Sequence, residues 1–213
     1  MAISAVVFDV GETLVDETRN WGDMADWLGV PRFAFFAAMG MVIERRWHHR
    51  RVFEIAAPGL DMEAEFAKRR AAGWRYQFLP GDFYPDALPC LRDLKAAGYK
   101  VGLAGNQPEE AEGALAEARV PGDFIASSAR WGVEKPSRAF FDKVVEAAGV
   151  PAAEIAYVGD RLDNDVLPAV DAGMTGVFIR RGPWGFAHAT WPEAARAHHR
   201  IDSLAELPGL LAG

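Results

Sequence analysis

The chain of 213 residues has one cysteine, Cys90, so it can form no intrachain disulfide and lacks the second thiol that a Cys-x-x-Cys metal or redox site needs. A reducing compartment, most simply the cytoplasm, is the expectation. Positive charge is also in short supply: 23 basic residues against 30 acidic ones give a formal charge of −7, the opposite of what binding to a phosphate backbone requires. No nucleic acid partner is expected. The longest uncharged apolar run, Phe33 to Ile43, falls short of the ~18 residues a spanning helix needs, and no basic stretch leads into an apolar signal core. Neither a membrane protein nor an exported one is expected. Internal repeats, low-complexity tracts and Gly/Ser linkers are missing too.

What remains is ordinary globular material, 50% hydrophobic and 25% charged, long enough for a sizeable core plus an inserted module. Ala5-Val6-Val7-Phe8 is apolar throughout with no polar alternation, as suits a strand buried on both faces of a parallel sheet. Similar runs recur at Lys100 to Ala104, Phe124 to Ser127, Ile155 to Gly159 and Gly176 to Ile179, with Arg200-Ile201 as a possible sixth. Between them lie amphipathic helices: Asp86 to Ala97 ahead of Gly98, Arg138 to Ala148 ahead of Gly149, and a closing helix over Leu204 to Leu211. Strands alternating with helices predict an α/β fold, a doubly wound, Rossmann-like parallel sheet core with ligands bound beyond the carboxyl ends of the strands.

Residues 17–82 break that alternation. Trp21, Met24, Ala25 and Leu28 keep helical spacing, Pro31 suits a helix start and no strand is apparent, so this stretch reads as a helical insertion into a core made of 1–16 and 83–213. It carries 10 basic and 9 acidic residues, net +1, against 13 minus 21, net −8, elsewhere. Trp21, Trp27, Trp47 and Trp74 read as its core. Arg45, Arg46, His48, His49, Arg50 and Arg51 are expected to spread around a helix as a charged face, with the two histidines on different sides and so a poor metal pair.

Four polar residues fall at or just past predicted strand ends: Asp9, Asn106, Lys135 and Asp160. Carboxylates converging on one crevice repel each other, and a divalent cation with a nearby lysine removes that cost; an all-oxygen donor set favours Mg²⁺. Asp163 suits the start of the following helix, where an acid favours the macrodipole.

With Phe8-Asp9-Val10-Gly11-Glu12-Thr13-Leu14, Glu134-Lys135-Pro136 and Val158-Gly159-Asp160-Arg161-Leu162-Asp163-Asn164-Asp165, the chain resembles the haloacid dehalogenase-like (HAD) hydrolase superfamily, in its phosphatase-like branch with a helical cap after the first strand. The resemblance implies that Asp9 attacks phosphorus to form an aspartyl-phosphate on a small phosphorylated metabolite. It implies Mg²⁺ held by Asp9, the Gly11 carbonyl and Asp160, with Asp165 close by holding a metal-bound water or Lys135, and Lys135 neutralising the nucleophile and phosphoryl oxygens. Gly105 and Asn106 would meet the phosphoryl group, and the protein would be a monomer or homodimer.

Two departures from the family pattern stand out. Gly11 occupies the place of the Asp that protonates the leaving group, with Glu12 next to it as a possible substitute. Gly105 stands where a Ser or Thr hydroxyl usually precedes Asn106, leaving a backbone N–H as donor there. The alternative reading is therefore a HAD-fold metal- or anion-binding regulatory protein with weak turnover. Dehalogenase-like or phosphonatase-like chemistry is disfavoured: the former needs no metal, and the latter needs a Schiff-base lysine for which the insertion offers only Lys68. Arg180, Arg181 and Trp184 could reach the mouth of the crevice.

Overall fold

The structure, a computed structural model, describes residues 2–212. Six parallel strands, β1 (Ala5–Phe8), β2 (Lys100–Gly105), β3 (Phe124–Ser127), β4 (Ile155–Gly159), β5 (Thr175–Ile179) and β6 (His199–Ile201), lie in the order β3-β2-β1-β4-β5-β6. Each matches a run expected from sequence to within a residue. The order reverses direction between β1 and β4, which pair in register from Ala5↔Ile155 to Phe8↔Val158, so the crevice for a ligand opens where Asp9 and Asp160 follow those two strands.

Between β1 and β2 the chain folds a second compact unit, Glu17–Tyr76, made of α1 (Thr18–Trp27), α2 (Arg32–Glu44), α3 (Val52–Ala56) and α4 (Met62–Ala71). Phe35 and Val42 of α2 and Val52 of α3 are fully buried, and Trp21 packs its ring 6.1 Å from Phe35 and 6.3 Å from Phe53. The stretch expected as helix over 45–51 is broken, and only His49–Arg51 form a 3₁₀ turn ahead of α3. Arg46, at φ 54°, ends α2, and the half-buried Trp47 has the guanidinium groups of Arg45 and Arg51 over its ring at 4.8 and 3.8 Å. The loop also brings the rings of His48 and His49 to 4.3 Å, where a helix would have parted them. Residues 77–82 fall with the core unit: Asp16 N–H donates to the Asp82 carbonyl at 2.7 Å, and the buried Asp82 side chain accepts from Leu79 N–H at 2.8 Å.

In the core unit the sheet is covered on both faces by α5 (Ala87–Ala96), α6 (Glu110–Glu117), α7 (Ser128–Trp131), α8 (Arg138–Ala148), α9 (Leu167–Asp171), α10 (Gly182–His188) and α11 (Leu207–Leu211). Successive strand residues point to opposite faces. Val6 and Phe8 thus pack with Leu91 and Leu94 of α5, Leu115 of α6 and Leu207 of α11, while Ala5 and Val7 pack with Phe141 and Val144 of α8. The closing helix is shorter than expected because a 3₁₀ turn, Leu204–Glu206, precedes it, capped by the Ser203 hydroxyl on Ala205 N–H. Among the described residues, no single helix is long and apolar enough to cross a membrane.

Candidate active site

Asp9, Lys135, Asp160 and Asp165 meet at the carboxyl ends of β1 and β4. Lys135 Nζ donates to Asp9 Oδ1 and to Asp165 Oδ1, each at 2.6 Å, and the lysine side chain is 1% exposed. Oxygens of Asp9, Asp160 and Asp165 all lie within 4.8 Å of one another. Asp160 Oδ2 is buried with no hydrogen-bond partner, which is costly for a carboxylate unless a cation completes it. Burial opposes the Lys135 charge, but Asp165 and Asp9 hold its pKa well above the ordinary lysine range. Burial raises the Asp160 carboxyl well above its usual range, with Asp165, Asp9 and Glu12 adding repulsion. The same burial pushes Asp165 up to about 6 even though Lys135 pulls against it. Clustered hard oxygens, one of them unsatisfied, suit a divalent cation of the Mg²⁺ type.

The cluster is held by groups with no ionic role of their own. Asn106, just past β2, accepts Lys135 N–H at 2.8 Å and donates to the Lys135 carbonyl at 2.9 Å. Phe140 and Tyr157 present their rings 5.8 and 5.7 Å from Lys135 Nζ, and the Tyr157 hydroxyl is tied to the Ala104 carbonyl at 2.7 Å. Past β4, a π-helical turn, Leu162–Val166, carries Asp165, whose Oδ2 accepts Arg161 N–H at 3.0 Å. Gly159 makes room for it, since a Cβ there would lie 2.5 Å from Asp165 Cβ. Buried His188 supports the same turn, its Nδ1 accepting Leu162 N–H at 3.0 Å while its ring stacks on Trp191 at 3.8 Å.

After β1 the chain makes a tight turn in which Gly11 bridges to Val15 and Glu12 takes φ 54°. Glu12 Oε2 accepts the Tyr84 hydroxyl at 2.7 Å. Arg181 lies 4.3 Å over the Tyr84 ring, donates to the Thr13 carbonyl at 3.1 Å and forms a two-pronged pair with Asp86 at 3.0 and 2.5 Å. The turn that follows Asp9 is thereby fastened to the end of β5.

A family model described as haloacid dehalogenase-like hydrolase matches residues 3–173, most of the chain and all four of these clustered residues. The chain belongs to this family. The glyceraldehyde 3-phosphate phosphatase of Methanopyrus kandleri is 39% identical over 108 residues, 47% of this chain and 45% of that protein. A sesquiterpene phosphatase of Aspergillus oryzae is 27% identical over 82% of this chain and 89% of that protein. The chain spans about half the length of the first curated relatives it matches. Among solved structures, a HAD phosphatase from Thermococcus onnurineus superposes with TM-score 0.62 at 25% identity, covering 99% of both chains. The L-2-haloacid dehalogenase of Xanthobacter autotrophicus gives 0.66 at 22% identity, again over 99% of both. One backbone serves both names, so the side chains must decide the reaction.

Set against the HAD pattern, the expected residues divide by what they touch. Asp9, Asp160, Lys135 and Asp165 converge, but both Asp165 oxygens are engaged, by Lys135 and Arg161 N–H, so here it seats the lysine. The Asn106 carboxamide is committed to the Lys135 main chain. Gly105 is closely fitted: a Cβ would lie 2.7 Å from Asp9 Oδ1. Asp163 pairs with Arg161 at 3.1 and 2.9 Å within the π-helical turn. Arg181 is buried on Asp86 and Arg180 pairs with Asp202 at 2.7 Å. The Tyr84 and Arg181 partnerships had no sequence signal, since they join residues distant along the chain.

Proposed function

We propose that this chain is a Mg²⁺-dependent phosphatase acting on a small phosphorylated metabolite through an aspartyl-phosphate on Asp9. The observation that carries this reading is the partnerless buried Asp160 oxygen, grouped with Asp9 and Asp165 within 4.8 Å around a lysine-bound nucleophile. A carbon–halogen bond needs no metal, and an unmatched carboxylate would then be cost without return. Two relatives named as phosphatases support the same choice. Phosphonatase-like chemistry gains nothing from Lys68, which is 65% exposed and paired with Glu65 at 2.5 Å.

In this reading an Asp9 oxygen attacks phosphorus, the P–O ester bond breaks and its electron pair stays on the departing oxygen, which must then take a proton. Water next attacks the phosphorus of the aspartyl-phosphate, giving back the Asp9 carboxylate and inorganic phosphate. Lys135 offsets the charge of Asp9 and of the phosphoryl oxygens throughout, and Asp165 and Asn106 keep it in place. Asp9, Asp160 and the Gly11 carbonyl would hold Mg²⁺, which when bound draws negative charge from the transferring group. The Glu17–Tyr76 unit, inserted directly behind the nucleophile turn, would serve as the cap that selects substrate.

A panel of phosphomonoesters assayed with Mg²⁺ and with chelator tests this. Turnover of phosphoesters that disappears on chelation is expected. Activity that survives chelation, or release of halide from 2-haloacids in its place, would overturn the reading.

A further inference from the structure

At β6, the edge of the sheet opposite β3, lies a cavity of about 570 Å³, a size within the range of small-molecule sites, and the chemistry above leaves it without a task. Its walls follow from strand register. Phe178 of β5 stands opposite Arg200 of β6, and two residues further along each come Arg180 and Asp202, which the alternation of side chains places on the same face. The ladder still holds there, with Arg180 N–H on the Ile201 carbonyl at 2.9 Å. Phe186 of α10 and Thr190 just past it line the other side. Phe178 is fully buried at the base, whereas the Phe186 ring is 63% exposed, with the Arg180 guanidinium 5.6 Å from its centroid.

Charge sets what the cavity can hold. Arg180 gives its Nε to Asp202 at 2.7 Å, and its two terminal nitrogens make no hydrogen bond to the described residues. Arg200 has no carboxylate partner; its one hydrogen bond is a long one, from Nη2 to the Ala189 carbonyl at the end of α10, at 3.3 Å. Glu206 also lines the cavity, but it spends Oε1 on the Asp202 and Ser203 N–H groups at 2.9 and 2.8 Å. Two guanidinium groups with donors to spare therefore share one concave wall beside an exposed ring, and a carboxylate, sulfonate or phosphate matches such forks. We propose that this cavity is a second ligand site, one for a small acid whose charged group is joined to a flat apolar ring. The acid group lies on Arg180 and Arg200 and the ring on Phe186. Such a site stands apart from the Mg²⁺ reading of the crevice at β1 and β4.

The test is calorimetric titration of the whole chain, in chelator, with two probes that share a ring and differ in the sign of their charge: naphthalene-1-sulfonate and naphthalen-1-ylmethylammonium. The sulfonate should bind and the ammonium should not. Arg200→Gln removes the guanidinium that has no carboxylate partner and should weaken the sulfonate about 10-fold or more. Phe186→Ala removes the ring and should weaken it about 3- to 10-fold. Both side chains are exposed, so neither change should disturb the fold. Phe33→Ser alters another exposed ring, 88% accessible, and should leave the affinity within about twofold. The proposal is overturned if neither probe binds, if the ammonium binds as tightly as the sulfonate, or if Arg200→Gln or Phe186→Ala leaves sulfonate binding within that twofold. A loss in Phe33→Ser as large as that in Phe186→Ala would overturn it as well, since the probe would then be reading exposed rings in general.

Discussion

Asn106 grips Lys135 by its main chain, its amide oxygen on the lysine N–H at 2.8 Å and its amide nitrogen on the lysine carbonyl at 2.9 Å. The residue past β2 thereby sets the backbone from which Nζ spans Asp9 and Asp165, each at 2.6 Å. A carboxamide can both donate and accept, and a carboxylate cannot. Asn106→Asp should turn one of these bonds into repulsion between oxygens and cost about 1–3 kcal/mol of stability. kcat should fall more than KM rises, since the lysine matters most where charge develops. Urea melts with steady-state kinetics check both; intact kcat in a destabilised variant would make Asn106 a brace for the loop alone.

Asp9→Asn should abolish covalent phosphorylation, because an amide is a poor nucleophile and a weaker partner for Lys135 and a cation. The fold should survive, since Lys135 keeps Asp165 at 2.6 Å. Mass spectrometry of acid-quenched enzyme would show the loss of any phosphoenzyme, and near-normal turnover would remove Asp9 from the chemistry.

Gly105→Ser restores the hydroxyl expected of the family at that place and should nonetheless lower activity. Its Cβ would press to 2.7 Å on Asp9 Oδ1, an oxygen that Lys135 already holds. Displacing the nucleophile and overpacking the site should cost about 1–3 kcal/mol. A Ser variant more active than the natural chain would mean that Asp9 can turn aside freely.

How far the sequence carried depended on whether a feature was local. β1 was legible because Ala5 to Phe8 are continuously apolar, and the strand-end positions of Asp9 and Asp160 followed from where such runs stop. The meeting of Lys135 with Asp165 followed from the resemblance to HAD hydrolases rather than from spacing. The grip of Asn106 was not readable, because a side chain spanning 29 residues to a backbone unit depends on how two loops converge. The left-handed turn at Arg46 was equally hidden: arginine is an adequate helix former, and nothing in its neighbours announced the stop that brought His48 against His49. Arg181 looked available for a ligand until its fold-level partner Asp86 appeared.

The carboxylates also fix the sign of a pH effect. Burial pushes the Asp165 carboxyl up to about 6 from an ordinary 3.8, so between those values the folded protein should hold protons that the unfolded chain has released. Stability in chelator should therefore fall as pH rises from about 4 to about 6, and the upward shift of Asp160 acts in the same direction. Each kcal/mol lost would lower Tm by about 2–4 °C in a chain of this size. Mg²⁺ binds the ionised carboxylates, so its stabilising effect should grow across the same range. Melts at pH 5 and 7.5 with and without Mg²⁺ decide the matter; a metal-free protein that is more stable at the higher pH would contradict the burial of these charges.

Gly11 bears on the leaving group. A positioned general acid contributes about 10²- to 10⁴-fold by protonating the departing oxygen, and glycine supplies no proton. Glu12 is next in line, but its carboxylate is drawn to the Tyr84 hydroxyl at 2.7 Å and held beside Gly182. Rates should then depend steeply on leaving-group pKa, with aryl and acyl phosphates turning over while alkyl phosphates barely react. The same lack would slow attack of water on the aspartyl-phosphate, so a phosphoenzyme should accumulate with good leaving groups and show as a burst in rapid-quench experiments. Gly11→Asp should flatten the dependence on leaving-group pKa and diminish the burst. If the natural chain already hydrolyses alkyl and aryl phosphates at similar chemical-step rates, some other group supplies the proton. If neither class reacts and no phosphoenzyme forms, while Mg²⁺ and inorganic phosphate still bind, the site has been kept for binding and the phosphatase reading gives way to a regulatory one.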